Sequence, residues 1–347
     1  MKARKLTQLL LMATIGMVIF VACAPAPAAA PATSAPAANT AAPAATTAPA
    51  AKKYKVAMVT SGPTNDQGWN YDALRGIQAI RDKLGWEMAY SENVPAAQQE
   101  NVLRQYAQQN YDLIFAHGYE WGDALKAVAK DFPNVMFAQI NATTQGSNIV
   151  GTSFKYGELG YFTGMAAGLM TKNNKIGVVA AQDAPQVTAD TDTMKTGAKA
   201  VNPNADVNVS FVGSWDDVVK GGQVAQAQID RGVDVLIIMG NAFTPPAIKL
   251  AQDKGIKVIA GWTIEAYPLA PNTIVTSGIQ DIPDVYLNTA QQLQDGKLKG
   301  NTTNVFGWKE KAQYLGHWGD FVPQSVQDAV QKAEAAYLAG TLDIGVK

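Results

Sequence analysis

One cysteine and two histidines stand in a chain of 347 residues. A single thiol leaves no intrachain disulfide, so the fold must be held by its core. His117 and His317 lie in no metal-ligand spacing, and no Gly-x-Ser-x-Gly elbow, Walker loop or Gly-x-Gly-x-x-Gly follows a strand. The acidic pairs Asp216-Asp217 and Asp190/Asp192 sit where N-caps and solvated charges belong. We therefore expect no enzymatic activity, no metal and no cofactor. Charge of one sign is missing too, with 28 Lys plus Arg against 29 Asp plus Glu. Without a basic stripe interleaved with aromatics, nucleic acid is not an expected partner. No run reaches the roughly 18 uninterrupted apolar residues of a membrane span.

What is present begins at the N-terminus. Lys2, Arg4 and Lys5 precede an uncharged apolar run from Leu6 to Ile19, then Phe20-Val21-Ala22-Cys23. This is the layout of a secretory signal peptide over residues 1–22. The lone cysteine after Val-Ala resembles a bacterial lipobox, with Phe20 where Leu is usual. That resemblance implies cleavage before Cys23, lipid on its sulfur and an extracytoplasmic protein held on the cell membrane. The alternative is an ordinary signal peptide with a chance cysteine. Residues 24–51 are Ala, Pro, Thr and Ser with a single Asn and no large apolar side chain. Such a stretch forms no core and reads as a solvated spacer, so 23–51 is expected to be anchor and tether.

From Lys52 onward, short β-branched and apolar runs alternate with helical-period segments. Strands are expected at 55–59, 87–90, 113–116, 135–139, 175–180, 206–211, 233–239 and 257–261, with helices between and one at about 159–170. Continuous apolar strands separated by helices imply parallel sheets covered on both faces. Two such series in succession imply an α/β chain of two doubly wound lobes. Ligands of open parallel sheets bind beyond the carboxyl ends of the strands, so the loops there are the candidate site. They hold Asp66-Gln67-Gly68-Trp69-Asn70, His117-Gly118-Tyr119-Glu120-Trp121-Gly122-Asp123, Gly213-Ser214-Trp215-Asp216-Asp217, Gly240-Asn241-Ala242-Phe243 and Trp262-Thr263. Five of the seven tryptophans (69, 121, 215, 262 and 318) fall in expected loops. Indoles offer apolar faces with a polar edge, suited to holding a flat ligand between two lobes. The plainer alternative is that they pack under loops as satellite core.

These landmarks also carry a family resemblance. The motifs are Asp66-x-x-Trp69-Asn70, Asp112-Leu-Ile-Phe-Ala-x-Gly118 with Asp123-Ala-Leu, Tyr161-Phe-x-Gly164-x-x-Ala167-Gly168 and Thr171-x-x-x-Lys175-Ile-Gly177. Gly213-Ser-Trp-x-Asp217, Gly232-Val-Asp-Val-Leu236 and Leu338-x-Gly340 follow in order. From Lys55 to Gly345 the chain resembles the basic membrane protein (Bmp/Med/purine nucleoside receptor) family of lipid-anchored solute-binding proteins of ABC importers. The resemblance implies a type I periplasmic-binding-protein fold, two lobes joined by hinge crossings. It implies that Trp69, where the family has Phe, stacks on one face of a purine-like ring and Trp215 covers the other. Asn70 and Asp123 would read the ring edge, with Gly240 and Asn241 lining the slot. Asp66, Tyr119, Trp121, Trp262 and Thr263 complete the expected site, although Asp66 also reads as a loop-bracing acid. Thr263 and Gln280 stand where nucleoside-binding members carry an Asp and a Lys that grip the ribose. A free purine base or similar small heteroaromatic is therefore expected over a nucleoside. A ligand-sensing co-receptor not coupled to transport stays open as a second class.

The implied mechanism is capture by closure. The first lobe is expected to span 54–154 plus 276–304, and the second 172–272 plus 305–347. Crossings near Tyr156, Asn272 and Val305 would serve as hinges. The closed monomer is what a permease would recognise.

Overall fold

Alternate residues of each central strand enter opposite cores, as the two-residue period of a strand demands. In β1 (Lys55–Thr60), Val56 and Met58 join one buried cluster while Ala57 and Val59 join another. The computed structural model describes residues 52–346. The expected signal peptide, Cys23 and tether lie outside the described residues. After β1 come α1 (Trp69–Leu84), β2 (Glu87–Ser91), α2 (Gln99–Gln108), β3 (Leu113–His117), α3 (Gly122–Ala129), β4 (Met136–Ile140) and β5 (Ile149–Phe154). The next series is α4 (Glu158–Met170), β6 (Lys175–Ala180), α5 (Pro185–Val201), β7 (Asp206–Phe211), α6 (Val218–Asp230), β8 (Val235–Met239), α7 (Thr244–Asp253), β9 (Lys257–Ala260) and β10 (Ile274–Gln280). α8 (Ile282–Gln294), β11 (Thr302–Phe306), β12 (Gln313–Leu315) and α9 (Gln324–Leu338) close the chain.

The first sheet runs β2-β1-β3-β4-β5-β11, parallel throughout. The second runs β7-β6-β8-β9-β10-β12, parallel except for antiparallel β12. The strand order is the same in both, 2-1-3-4-5 and then a strand from the end of the chain. This is the expected type I periplasmic-binding-protein architecture, two doubly wound lobes. β3 and β8 are buried at every position, as strands covered on both faces must be.

The chain passes between lobes three times: from β5 to α4, from β10 to α8 and from β11 to β12. Two expected boundaries move. The return to the first lobe begins after Gln280 rather than at 276, because β10 pairs with β9 through Ser277 and Ala260. Asn272 therefore lies within the second lobe and is not a crossing. Val305 sits inside β11, and the passage follows it at 307–312. α4 already belongs to the second lobe, since Leu159 and Phe162 share a core with Val178 and Met194. Its glycines explain how closely it lies on α5: a Cβ on Gly164 would stand 2.1 Å from the Met194 carbonyl oxygen. At the crossings, buried Glu158 accepts hydrogen bonds from the Trp308 N–H (2.7 Å) and Gln313 Nε2 (3.3 Å), and from the Tyr337 hydroxyl. One carboxylate thus ties the first crossing, the third crossing and the C-terminal helix together.

Candidate functional site

Loops from the carboxyl ends of both sheets converge on one cavity of about 430 Å³. A volume of this size lies within the range of small-molecule sites, about 300–1,000 Å³. From the first lobe its wall takes Ser61, Gly62, Trp69, Asn70, Gly118, Tyr119, Glu120, Asn141 and Tyr156. From the second it takes Gln182, Gln186, Val187, Asp190, Trp215, Asp216, Met239, Gly240, Asn241, Gly261, Trp262, Thr263 and Gln280.

Trp69 is mounted from behind. His117, the last residue of β3, stacks on the indole at 4.2 Å between ring centres. Its Nε2 lies 3.0 Å from the Trp69 carbonyl, and its Nδ1 lies 3.0 Å from the Tyr286 hydroxyl on α8. A carbonyl only accepts, so Nε2 carries the proton and Nδ1 accepts from Tyr286. Burial lowers the His117 pKa to about 3, against the weaker opposing pull of the Trp69 carbonyl, so the imidazole is neutral. Asn70 is aimed by Asp66, whose carboxylate accepts from Asn70 Nδ2 and the backbone N–H of Asn70 (both 2.9 Å), and from the N–H of Gly68 (3.1 Å) and Tyr71 (2.9 Å).

The loop bearing Trp215 is locked to its neighbour. The Asn241 N–H donates to the Trp215 carbonyl (3.0 Å), and Asp217 caps α6 by accepting from the Lys220 N–H (2.9 Å). Gly68 of the first lobe lies so close to Asn241 of the second that a Cβ there would meet Asn241 Oδ1 at 2.8 Å. Behind the cavity wall, the buried Asp72 of α1 pairs with Arg75 at 2.6 Å. Trp262 holds φ at +53°, a left-handed conformation costly for a bulky side chain, on the order of 1–3 kcal/mol. That turn keeps its side chain buried beside Asp190 while its carbonyl accepts from the Gln280 N–H at 2.9 Å.

Of the residues anticipated from sequence, Trp69, Asn70, Tyr119, Trp215, Gly240, Asn241, Trp262 and Thr263 line this one cavity. Three do not. Trp121 is fully buried in the core beside β3, because the short turn after Gly118 rolls it inward while Tyr119 stays exposed. Asp123 is exposed on the first turn of α3, outside the wall. Asp66 stands behind Asn70 as a brace. The expectation that Asp190 is a solvated charge is also overturned: it is 1% exposed and lines the cavity. Gln182, Gln186 and Asn141 also line the wall, as does Tyr156, expected only as a crossing; the signal available for Gln182 is its place just past the end of β6. Among the described residues, the wall holds three carboxylates, Glu120, Asp190 and Asp216, and no Lys, Arg or His. Such a lining suits neutral or cationic solutes and repels anions.

Comparison with known proteins agrees with this geometry. A family model described as "ABC transporter substrate-binding protein PnrA-like" (Bmp) matches residues 53–341. A putative ABC transporter glucose-binding protein of Haloferax volcanii is 31% identical over 290 residues, covering 83% of this chain and 73% of that protein. A purine-binding protein of Brucella abortus is 30% identical over 298 residues, covering 84% and 83% respectively. Among solved structures, a transcriptional activator of the comK gene from Bacillus halodurans superposes with a TM-score of 0.74 at 27% identity, covering 82% of this chain and 97% of that one. The chain belongs to the Bmp family of PnrA-like ABC transporter substrate-binding proteins.

Proposed function

We propose that this protein captures a purine base or a similar small heteroaromatic between its lobes and delivers it to an ABC permease. The observation that carries the reading is that one indole from each lobe, Trp69 and Trp215, lines a single cavity beside the side-chain amides of Asn70 and Asn241. Flat faces grip a ring by stacking, and amides pair with the donors and acceptors along its edge. Ligand held by both lobes stabilises the closed form by the contacts made only there. Lipid on Cys23 would keep the monomer beside its permease, and the protein would act without catalysis.

The relative that binds purine supports this ligand class, while the relative named for glucose makes a hexose the second reading. A free base is favoured over a nucleoside because Thr263 and Gln280 offer no charge for a ribose and Trp262 fills part of the space beside them. Titration calorimetry with adenine, guanine, hypoxanthine, adenosine, guanosine and glucose tests this. The bases should bind most tightly, and Trp215→Ala should weaken them by well over tenfold while leaving the fold intact. Tighter binding of nucleosides or glucose would overturn the ligand class, and an unchanged affinity in Trp215→Ala would remove the sandwich.

A further inference from the structure

Asp190 is a carboxylate buried in the wall of a binding cavity, and only half of it is used by the protein. Its Oδ1 accepts from the Gly157 N–H (2.7 Å) and the Gly160 N–H (3.3 Å), at the first crossing between lobes. Its Oδ2 is buried without a hydrogen-bond partner. On the same wall, Trp262 Nε1 and Asn141 Oδ1 are likewise unpartnered. The indole N–H of Trp262 lies near enough to hold the Asp190 pKa down somewhat, yet it does not reach hydrogen-bond geometry. Buried polar atoms are nearly always paired, so these three, closed to solvent within residues that line a cavity, mark where a small shift of the wall lets a ligand supply the partner. Two of these three unpaired atoms are acceptors, and among the described residues no cation lines the cavity to satisfy them.

We propose that Asp190 Oδ2 is the specificity-determining contact of the site and that it receives an N–H donor from the edge of the bound ring. The inference rests on the reading that a heteroaromatic occupies this cavity, and it narrows the class to rings that present N–H groups, such as guanine. A ring edge offering only lone pairs would face Asp190 and Asn141 with acceptor against acceptor. The same carboxyl group holds the crossing through Oδ1, so pairing at Oδ2 places the ligand one side chain from the hinge.

The charged and titratable groups that bear on Asp190 are few. Glu158 on α4 raises its pKa, and Tyr156 of the first crossing lies within its field. Lys155 and Tyr337 act on Glu158 rather than on Asp190 directly. Burial is the main cause, lifting the Asp190 pKa to about 7, with the Gly157 and Gly160 N–H groups opposing it. A ligand N–H favours the ionised form, so binding below pH 7 expels a proton.

The test is titration calorimetry of the intact protein with guanine, using wild type, Asp190→Asn, Asp190→Ala and Trp215→Ala. Wild type should bind about tenfold more weakly at pH 6 than at pH 8, since roughly one site in ten is then ionised. At pH 6 its heat should vary with the buffer's ionisation enthalpy as close to one proton is released. Asp190→Asn keeps an oxygen for Gly157 and Gly160, and should lose at least tenfold in affinity at pH 8 together with all buffer dependence. Asp190→Ala also removes the anchor of the crossing and should lose more. If Trp215→Ala weakens guanine binding while Asp190→Asn binds as wild type with the same proton release, the inference fails and the sandwich stands. If no heteroaromatic binds and glucose does, the reading beneath it fails as well.

Discussion

His117 never reaches the cavity, yet it sets where Trp69 stands, through a stacked ring on one side and a hydrogen bond to the tryptophan's own carbonyl. Replacing it with Phe keeps an aromatic platform but strands the Trp69 carbonyl and the Tyr286 hydroxyl. We expect His117→Phe to cost about 1–3 kcal/mol in denaturant unfolding and to weaken ligand binding severalfold in calorimetry. Asp72 makes a second prediction at this scale. Its carboxyl is fully buried and its pKa is raised to about 7, chiefly by burial and against the pull of Arg75. A carboxyl that holds its proton more tightly when folded contributes stability below its unfolded pKa, near 4, and loses it as pH rises through about 7. Asp72→Asn should therefore gain on wild type in melting temperature between pH 5 and pH 8. A gap that stays constant with pH would refute it. Residues at this scale were legible only where a loop announced them. Trp69, Trp215 and Asn241 follow strand ends and were readable from that rule. Asp190 was not, because Thr-Ala-Asp-Thr-Asp looks like an exposed helix start, and its burial comes from α4, some thirty residues earlier, pressing on α5.

Elements were read more completely than residues. The apolar runs of β3 and β8 are unbroken, with Asp before each and Gly close after, so their positions follow from periodicity alone. β5 is diluted by Gly151, Thr152 and Ser153, β11 is a half-exposed polar edge and β12 has three residues, so none carries an apolar run long enough to recognise. The error at β10 has the same origin: a strand's place in one lobe or the other depends on its pairing partner, and single-chain periodicity contains no pairing. The α4–α5 contact was visible only as a spacing, glycines at 160, 164 and 168, without the neighbour that requires it. Gly164→Ala tests that contact. The added methyl would press on the Met194 backbone, which cannot turn aside as a side chain can. We expect a loss at the upper end of the overpacking range, about 3 kcal/mol, read from urea unfolding, with ligand affinity falling only as the folded fraction falls.

At the scale of the molecule, two sheets of identical strand order face one another across a cavity lined by both. Every passage between them runs through three short crossings, two of them tied through Glu158. Close approach of Gly68 to Asn241 shows the lobes meeting beside that cavity, the arrangement a captured solute would stabilise. The central claim is that a planar solute lies between an indole from each lobe. A crystal structure of the protein grown with guanine tests this most directly. The ring should lie between Trp69 and Trp215 with an N–H turned toward Asp190. A ring bound elsewhere, or an occupied cleft in which either indole turns away from the ligand, would contradict it.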